Sequence, residues 1–213
     1  MTGVVFDVIG GPAVTLSDFQ LVIAGYTARD QDALRAHVNE LAAIGIPAPE
    51  SVPSFCPIPA GLLTHSAEIT VAGARTSGEA EPVLVRHDGR LYLTVGSDHT
   101  DRDLQRTSLF EAKAACAKPV SRVVVPLSPD VDWDSIELAS RCDGHRYQEG
   151  RLTELLPPVE TLERFPADGD VVLFCGTLPL LDGQFVAGHE WEMTLAMPHQ
   201  QPLSVAYRVT QRT

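Results

Sequence analysis

Short apolar runs bounded by glycine, proline or aspartate recur along the chain and read as β-strands. They fall at 4–9, ending at Gly10-Gly11-Pro12, and at 20–24, 67–72, 120–127, 136–139, 171–175, 191–197 and 203–209; the run 171–175 is the most uniformly apolar. Residues 83–87 and 91–95 flank Asp88-Gly89, a pairing that predicts two antiparallel strands joined by a tight turn. Helical spacing is confined to three stretches. In 30–43, Leu34, Val38 and Leu41 share a stripe, with His37 beside it as a packed helix residue and Gly45 as a stop. In 103–116, Leu104, Leu109 and Ala112 or Cys116 share another, ended by Lys118-Pro119. The third helix is expected at 159–165. Prolines 47, 49, 53, 57 and 59 exclude regular helix or a central strand from 46–60. Val52, Phe55 and Ile58 in that stretch predict an ordered loop leading into a site and offering apolar surface. Many strands, few helices and no regular βαβ alternation predict an α+β fold with a mostly β core.

Composition narrows the picture. A chain of 213 residues can build one core or at most two small ones; a single domain over 1–213 is expected, with strands and a helix in 1–50 and the main body in 51–213. A formal charge of −12 argues against a nucleic-acid binder, which needs a basic face for phosphates. No apolar run approaches the length of a membrane span, and the N-terminus lacks a basic start followed by a long apolar segment. Cys56, Cys116, Cys142 and Cys175 are scattered without CxxC spacing, which predicts reduced, mostly buried thiols in a cytoplasmic protein. Cys175 sits in an apolar run where a thiolate is disfavoured, which argues against thiol hydrolysis.

The chemistry concentrates at the open end of the predicted hairpin. Glu79 and Glu81 are two apart and would share a strand face. Asp98 closes the returning strand. Three carboxylates without cysteine suit Mg²⁺, Mn²⁺ or Ca²⁺ better than zinc. Spacing alone equally allows a solvated pair, and Pro82 points to an edge or a bulge.

Several longer motifs occur in order. Glu79-Ala80-Glu81 is followed by Asp98-x-x-x-Arg102-Asp103-x-Gln105, and Lys118 lies thirteen residues after Gln105. Asp143-Gly144-His145-Arg146-Tyr147-Gln148-Glu149-Gly150 comes next, then the run from Pro166 through Asp168-Gly169-Asp170 to Gly176-Thr177. In this order the chain resembles the fumarylacetoacetate hydrolase-like superfamily, over roughly residues 50 to 195, and most closely a short, functionally unassigned bacterial branch of it. The resemblance implies a mixed β-roll of the fumarylacetoacetase C-terminal type with a few short helices, commonly assembled as a homodimer. It implies Glu79, Glu81 and Asp98 as ligands of one Mg²⁺, Mn²⁺ or Ca²⁺. It also implies Arg102, Gln105, Gly176 and Thr177 facing the substrate, and Lys118, Arg102 and Gln105 as catalytic groups. The implied substrate is a small 2-oxo or 2,4-dioxo carboxylic acid, chelated by the ion. Carbon–carbon hydrolysis of acylpyruvate type stands slightly ahead of decarboxylation, dehydration or tautomerisation. The alternative is a non-catalytic protein that binds a small acid or a metal on the same scaffold; the retained Arg102, Gln105 and Lys118 argue against it.

The sequence also departs from the family pattern. The stretch from Glu81 to Asp98 is short, Lys118 precedes Pro119-Val120, and Gly176-Thr177 precedes Leu178-Pro179. The histidine and glutamate that activate water in hydrolytic members have no matching segment. His65 and His99 are the local candidates and Glu190 or Glu192 the distant carboxylates, with a structural role carrying more weight for each histidine.

Overall fold

Asp88 and Gly89 both take positive φ, 48° and 73°, which gives the turn the twist that a two-residue hairpin needs. In the computed structural model, which describes residues 3–32, 34–35, 38–39, 49 and 51–212, this turn joins strands Ala80–His87 and Arg90–Ser97. They pair from Ala80 opposite Ser97 to His87 opposite Arg90. The hairpin forms the middle of an eight-stranded mixed sheet. Its order is Val14–Leu16, Val4–Val8, Val123–Pro126, Arg90–Ser97, Ala80–His87, Val171–Phe174, Gln20–Gly25 and Ser54–Ile58. A second sheet of five strands runs His145–Arg151, Glu137–Cys142, Glu190–Ala196, Leu203–Gln211 and Glu68–Val71.

The central strands read as continuous apolar runs because the large sheet is covered on both faces. Leu84, Leu93 and Val95 face a core shared with Leu138, Trp191, Met193 and Leu195 of the second sheet. Val83, Val85, Val172 and Phe174 face Phe6, Leu16, Leu21 and Ile58. Each such side chain, fully buried, contributes about 1.5–3 kcal/mol relative to exposure. The predicted mixed β-roll with few short helices is the observed fold.

Three expectations change. Residues 54–58 form an edge strand rather than a loop, antiparallel to Gln20–Gly25 with Pro57 opposite Val22. Proline is tolerated there because, among the described residues, the far side of the strand has no partner. Ile58 is buried and Phe55 packs on Phe165 with ring centroids 5.1 Å apart, so neither supplies the free apolar surface expected of them. Pro82, expected at an edge or bulge, lies in a central strand. The ladder to Val171–Phe174 begins only at Val83, while the Pro82 carbonyl accepts from Cys175 N at 3.0 Å. The predicted 103–116 helix is split into a 3-10 turn, Leu104–Arg106, and helix α1, Leu109–Ala114. Ser108 starts α1 afresh by accepting from Glu111 N at 3.2 Å. The predicted 159–165 helix is α2, Pro158–Glu163. Residues 31–32, 34–35 and 38–39 are helical, and His37 lies outside the described residues. Among the described residues, no helix is long and apolar enough to cross a membrane.

Candidate functional site

At the open end of the hairpin lies a cavity of about 930 Å³, lined also by residues 24–30, Leu34 and 153–155. The hairpin contributes Glu79 and Glu81. Helix α1 and the turn before it contribute Lys113, Leu109 and Gln105, and the chain after strand Val171–Phe174 contributes Gly176, Thr177 and Leu178. Of the sequence-predicted site residues, Glu79, Glu81, Gln105, Gly176 and Thr177 line the cavity. Asp98, Arg102 and Lys118 stand behind that lining, all buried.

Glu81 is 2% exposed. Its Oε2 accepts from Gly176 N at 2.8 Å, and its other oxygen has no hydrogen-bond donor among the described residues. Burial, then the negative charge of Asp98, pushes its carboxyl well above the usual range. Lys113 and the Gly176 N–H only partly oppose this. Asp98 is the counter-case. Burial again disfavours its charge, but Lys113, Lys118 and Arg102 outweigh burial and hold the carboxyl below its ordinary value. Lys113 Nζ pairs with Asp98 Oδ2, and Lys118 Nζ lies 3.2 Å from Asp98 Oδ1. Burial would discharge Lys113, but Asp98, Glu81 and Glu79 together raise its pKa. A lysine ammonium thus sits among the three carboxylates expected to hold a cation.

Lys118 is fully buried and donates to the carbonyls of His99 at 2.6 Å, Lys113, and Cys116 at 3.1 Å. Burial and the neighbouring Lys113 lower its pKa. The lysine that lines the cavity is Lys113. Sequence reading missed it because a lysine in a helix is normally solvated. The available signal was its position four residues after Leu109, which puts both on one helix face.

Arg102 is committed to the protein. Its Nε donates to Ser77 Oγ at 2.6 Å, Nη1 to Gln105 Oε1 at 2.8 Å, and Nη2 lies 3.0 Å from Glu79 Oε2. Phe185 covers its outer face, with the guanidinium carbon 3.7 Å from the ring centroid. Because arginine only donates, it fixes the Gln105 oxygen toward itself and leaves the Gln105 NH₂ for the cavity.

Gly176 takes φ +97°, and a Cβ there would lie 1.8 Å from Thr27 Oγ1, so this sharp bend admits only glycine. Gln148, from the second sheet, holds the bend in place. Its Oε1 accepts from Ala80 N and Ser140 Oγ, each at 2.9 Å. Its Nε2 donates to Thr177 Oγ1 at 2.6 Å and Leu178 O at 2.7 Å. The Thr177 hydroxyl in turn donates to Ala80 O at 2.8 Å.

None of the four residues considered for activating water lines this cavity. His99 is buried between Tyr207 OH and Thr76 Oγ1, each 2.9 Å from a ring nitrogen. Burial, Lys118 and Arg102 lower its pKa to about 3, so it is neutral. His65 packs edge-on against Phe6, with Nδ1 3.0 Å from Val120 O. Glu190 and Glu192 are exposed on the second sheet, with Glu190 paired to Arg208. All four cysteines are free, and burial raises the Cys175 thiol.

By ligand type the donor set suits a divalent cation, although Lys113 and Lys118 meet both Asp98 oxygens. It comprises three hard carboxylates, one of them buried with an unpartnered oxygen beside the cavity. Their oxygens are not gathered within 4.8 Å of one another; the group that is, among the described residues, is His87, Asp88 and Asp170 at the opposite end of the hairpin.

Solved structures share the architecture. A fumarylpyruvate hydrolase from Pseudomonas aeruginosa, in complex with Mn²⁺ and pyruvate, superposes with a TM-score of 0.68 at 17% identity, covering 100% of this chain and 97% of that one. A 5-carboxymethyl-2-hydroxymuconate delta-isomerase from Mycobacterium smegmatis gives 0.61 at 14%, covering 94% and 81%. A 2-hydroxyhepta-2,4-diene-1,7-dioate isomerase from Mycobacterium marinum gives 0.60 at 15%, covering 95% and 82%. At these identities the likeness establishes the fold, which is of the fumarylacetoacetate hydrolase type. No curated protein matches the chain. Residues 24–207 match the family described as "Protein of unknown function (DUF2848)", and the chain belongs to that family.

Proposed function

We propose that this protein is a divalent-metal-dependent enzyme acting on a 2-oxo or 2,4-dioxo carboxylic acid, with carbon–carbon hydrolysis of an acylpyruvate as its reaction. The observation that carries this reading is Glu81, a buried carboxylate with an unpartnered oxygen, which lines the cavity with Glu79 while Asp98 stands buried behind them. Glu79, Glu81 and Asp98 would hold Mg²⁺, Mn²⁺ or Ca²⁺. Such an ion supplies Lewis-acid stabilisation of charge on a chelated oxo acid. The chain's own groups do the positioning. Gln105 offers its NH₂ to the substrate carboxylate, oriented from behind by Arg102. Lys113 adds a positive charge at the floor, and Lys118 holds Asp98 from the side away from the cavity. Gly176 N–H fixes one Glu81 oxygen, leaving the other for the ion.

A second reading is favoured by one observation: among the described residues no histidine lines the cavity. Decarboxylation or tautomerisation needs no water-activating base and would run on the same floor. The test is turnover of acetylpyruvate by chelator-treated protein reloaded with Mn²⁺, with products identified. Hydrolysis yields acetate and pyruvate, and it should vanish without the ion. Absence of both turnover and calorimetric Mn²⁺ binding would remove the proposal.

A further inference from the structure

The cavity floor is charged, but its wall is not built for charge. Ala24, Leu34, Leu109, Leu155, Leu178 and Phe185 line the wall. One arginine, Arg29, stands among them, and its guanidinium is already spent. Nε donates to Leu155 O at 3.0 Å, Nη2 to Leu152 O at 3.1 Å, and Nη1 pairs with Asp134 at 2.7 Å. Lys113, the other cation lining the cavity among the described residues, is paired with Asp98 at the floor. The residues outside the description contain neither lysine nor arginine. The other charged side chains of the wall are acidic, Asp30 and Glu154. A second carboxylate at the far end of a substrate would therefore meet apolar side chains and no uncommitted cation, with the exposed, acidic Glu154 nearby.

We infer that the substrate carries its charge only at the chelating head, and that its tail is uncharged and apolar. This rests on the proposed function and deepens it. It also sets the substrate apart from fumarylpyruvate, whose far end is a carboxylate.

The test uses the full chain loaded with Mn²⁺ and three acylpyruvates of equal chain length: hexanoylpyruvate, its ω-carboxylate and its ω-ammonium counterpart. Hexanoylpyruvate should have the highest kcat/KM, by at least about tenfold, which corresponds to about 1.4 kcal/mol. The difference should lie in KM, because tail contacts are equal in ground and transition states. Calorimetry with 2-oxooctanoate against its ω-carboxylate should give the same order without any turnover. Thr153→Arg, at an exposed position on the wall, should narrow the gap for the carboxylate tail at least threefold. Equal or better use of the carboxylate or ammonium tail by the native protein, or an unchanged gap in Thr153→Arg, overturns the inference and leaves the proposed function standing. If no oxo acid of any tail is bound or turned over, the proposed function has itself failed, and the inference with it.

Discussion

The central hairpin carries a cluster of acids at each of its ends, and the two ends handle them in opposite ways. At the turn, His87 Nδ1 lies 2.6 Å from Asp170 Oδ2, and Asp88 is 87% exposed. Asp170 also accepts from Asp88 N at 3.1 Å. These charges are met locally or by water. At the open end, Asp98 is 0% exposed, and Glu81 has a single backbone partner. The turn end has the tighter grouping of ligand atoms, yet the open end has the cavity and the buried carboxylates. Proximity of acids is cheap where water screens them. Burying a carboxylate with a single backbone donor is costly, and needs a proton or a compensating cation that here is partly a lysine.

The contrast can be tested from both ends. The largest effect is expected from Asp98→Ala, which leaves the buried Lys118 ammonium facing no carboxylate and Lys113 only Glu81 and Glu79. Unfolding in denaturant should show a loss of about 3–5 kcal/mol, the usual consequence of breaking a buried pair. A loss below about 1 kcal/mol would place Asp98 with the surface pairs. A smaller effect with a distinctive pH signature is expected from Glu81→Gln. The Glu81 carboxyl has a raised pKa when folded, so the metal-free native chain holds a proton that the unfolded chain releases. Its contribution is therefore fully present below the unfolded value, about 4.3, and is lost as pH rises toward the folded value. The glutamine variant lacks this decline, so its stability relative to the native protein should grow across that window. Parallel profiles would contradict the burial argument. The same variant should weaken Mn²⁺ binding by more than the roughly 10–100-fold that loss of an outer-shell partner costs. The smallest effect belongs to the turn end: Asp170→Asn should cost less than about 1 kcal/mol and leave Mn²⁺ stoichiometry unchanged. A lost equivalent of Mn²⁺ in that variant would invert the comparison.

The sheets were legible because a strand covered on both faces is written in uninterrupted Val, Leu and Phe, as in 171–174. The Asp88-Gly89 turn was legible because few dipeptides tolerate two consecutive positive φ values. Pro57 misled because a proline reports only what the backbone cannot do; an edge strand satisfies it as well as a loop does, while residues 46–48 and 50 lie outside the described residues. At the site, spacing alone left Glu79 and Glu81 ambiguous, and order among distant motifs singled them out. Lys113 and Lys118 show where this stops. Both are buried lysines near Asp98, five residues apart, and which one meets the cavity depends on how α1 is rotated after Ser108 restarts it. No local pattern encodes that rotation.

Three of the four hydrogen bonds of the Gln148 side chain join its sheet to the rim of the other, and the fourth holds Ser140 within its own. The rim of the cavity is therefore held by the packing of the two sheets. Occupancy of the site and integrity of the whole molecule become one thermodynamic variable. A bound ion or oxo acid would add RT ln(1 + [L]/Kd) to global stability rather than merely quieting a loop. Any lesion that loosens the sheets, however distant, would be felt as lost affinity.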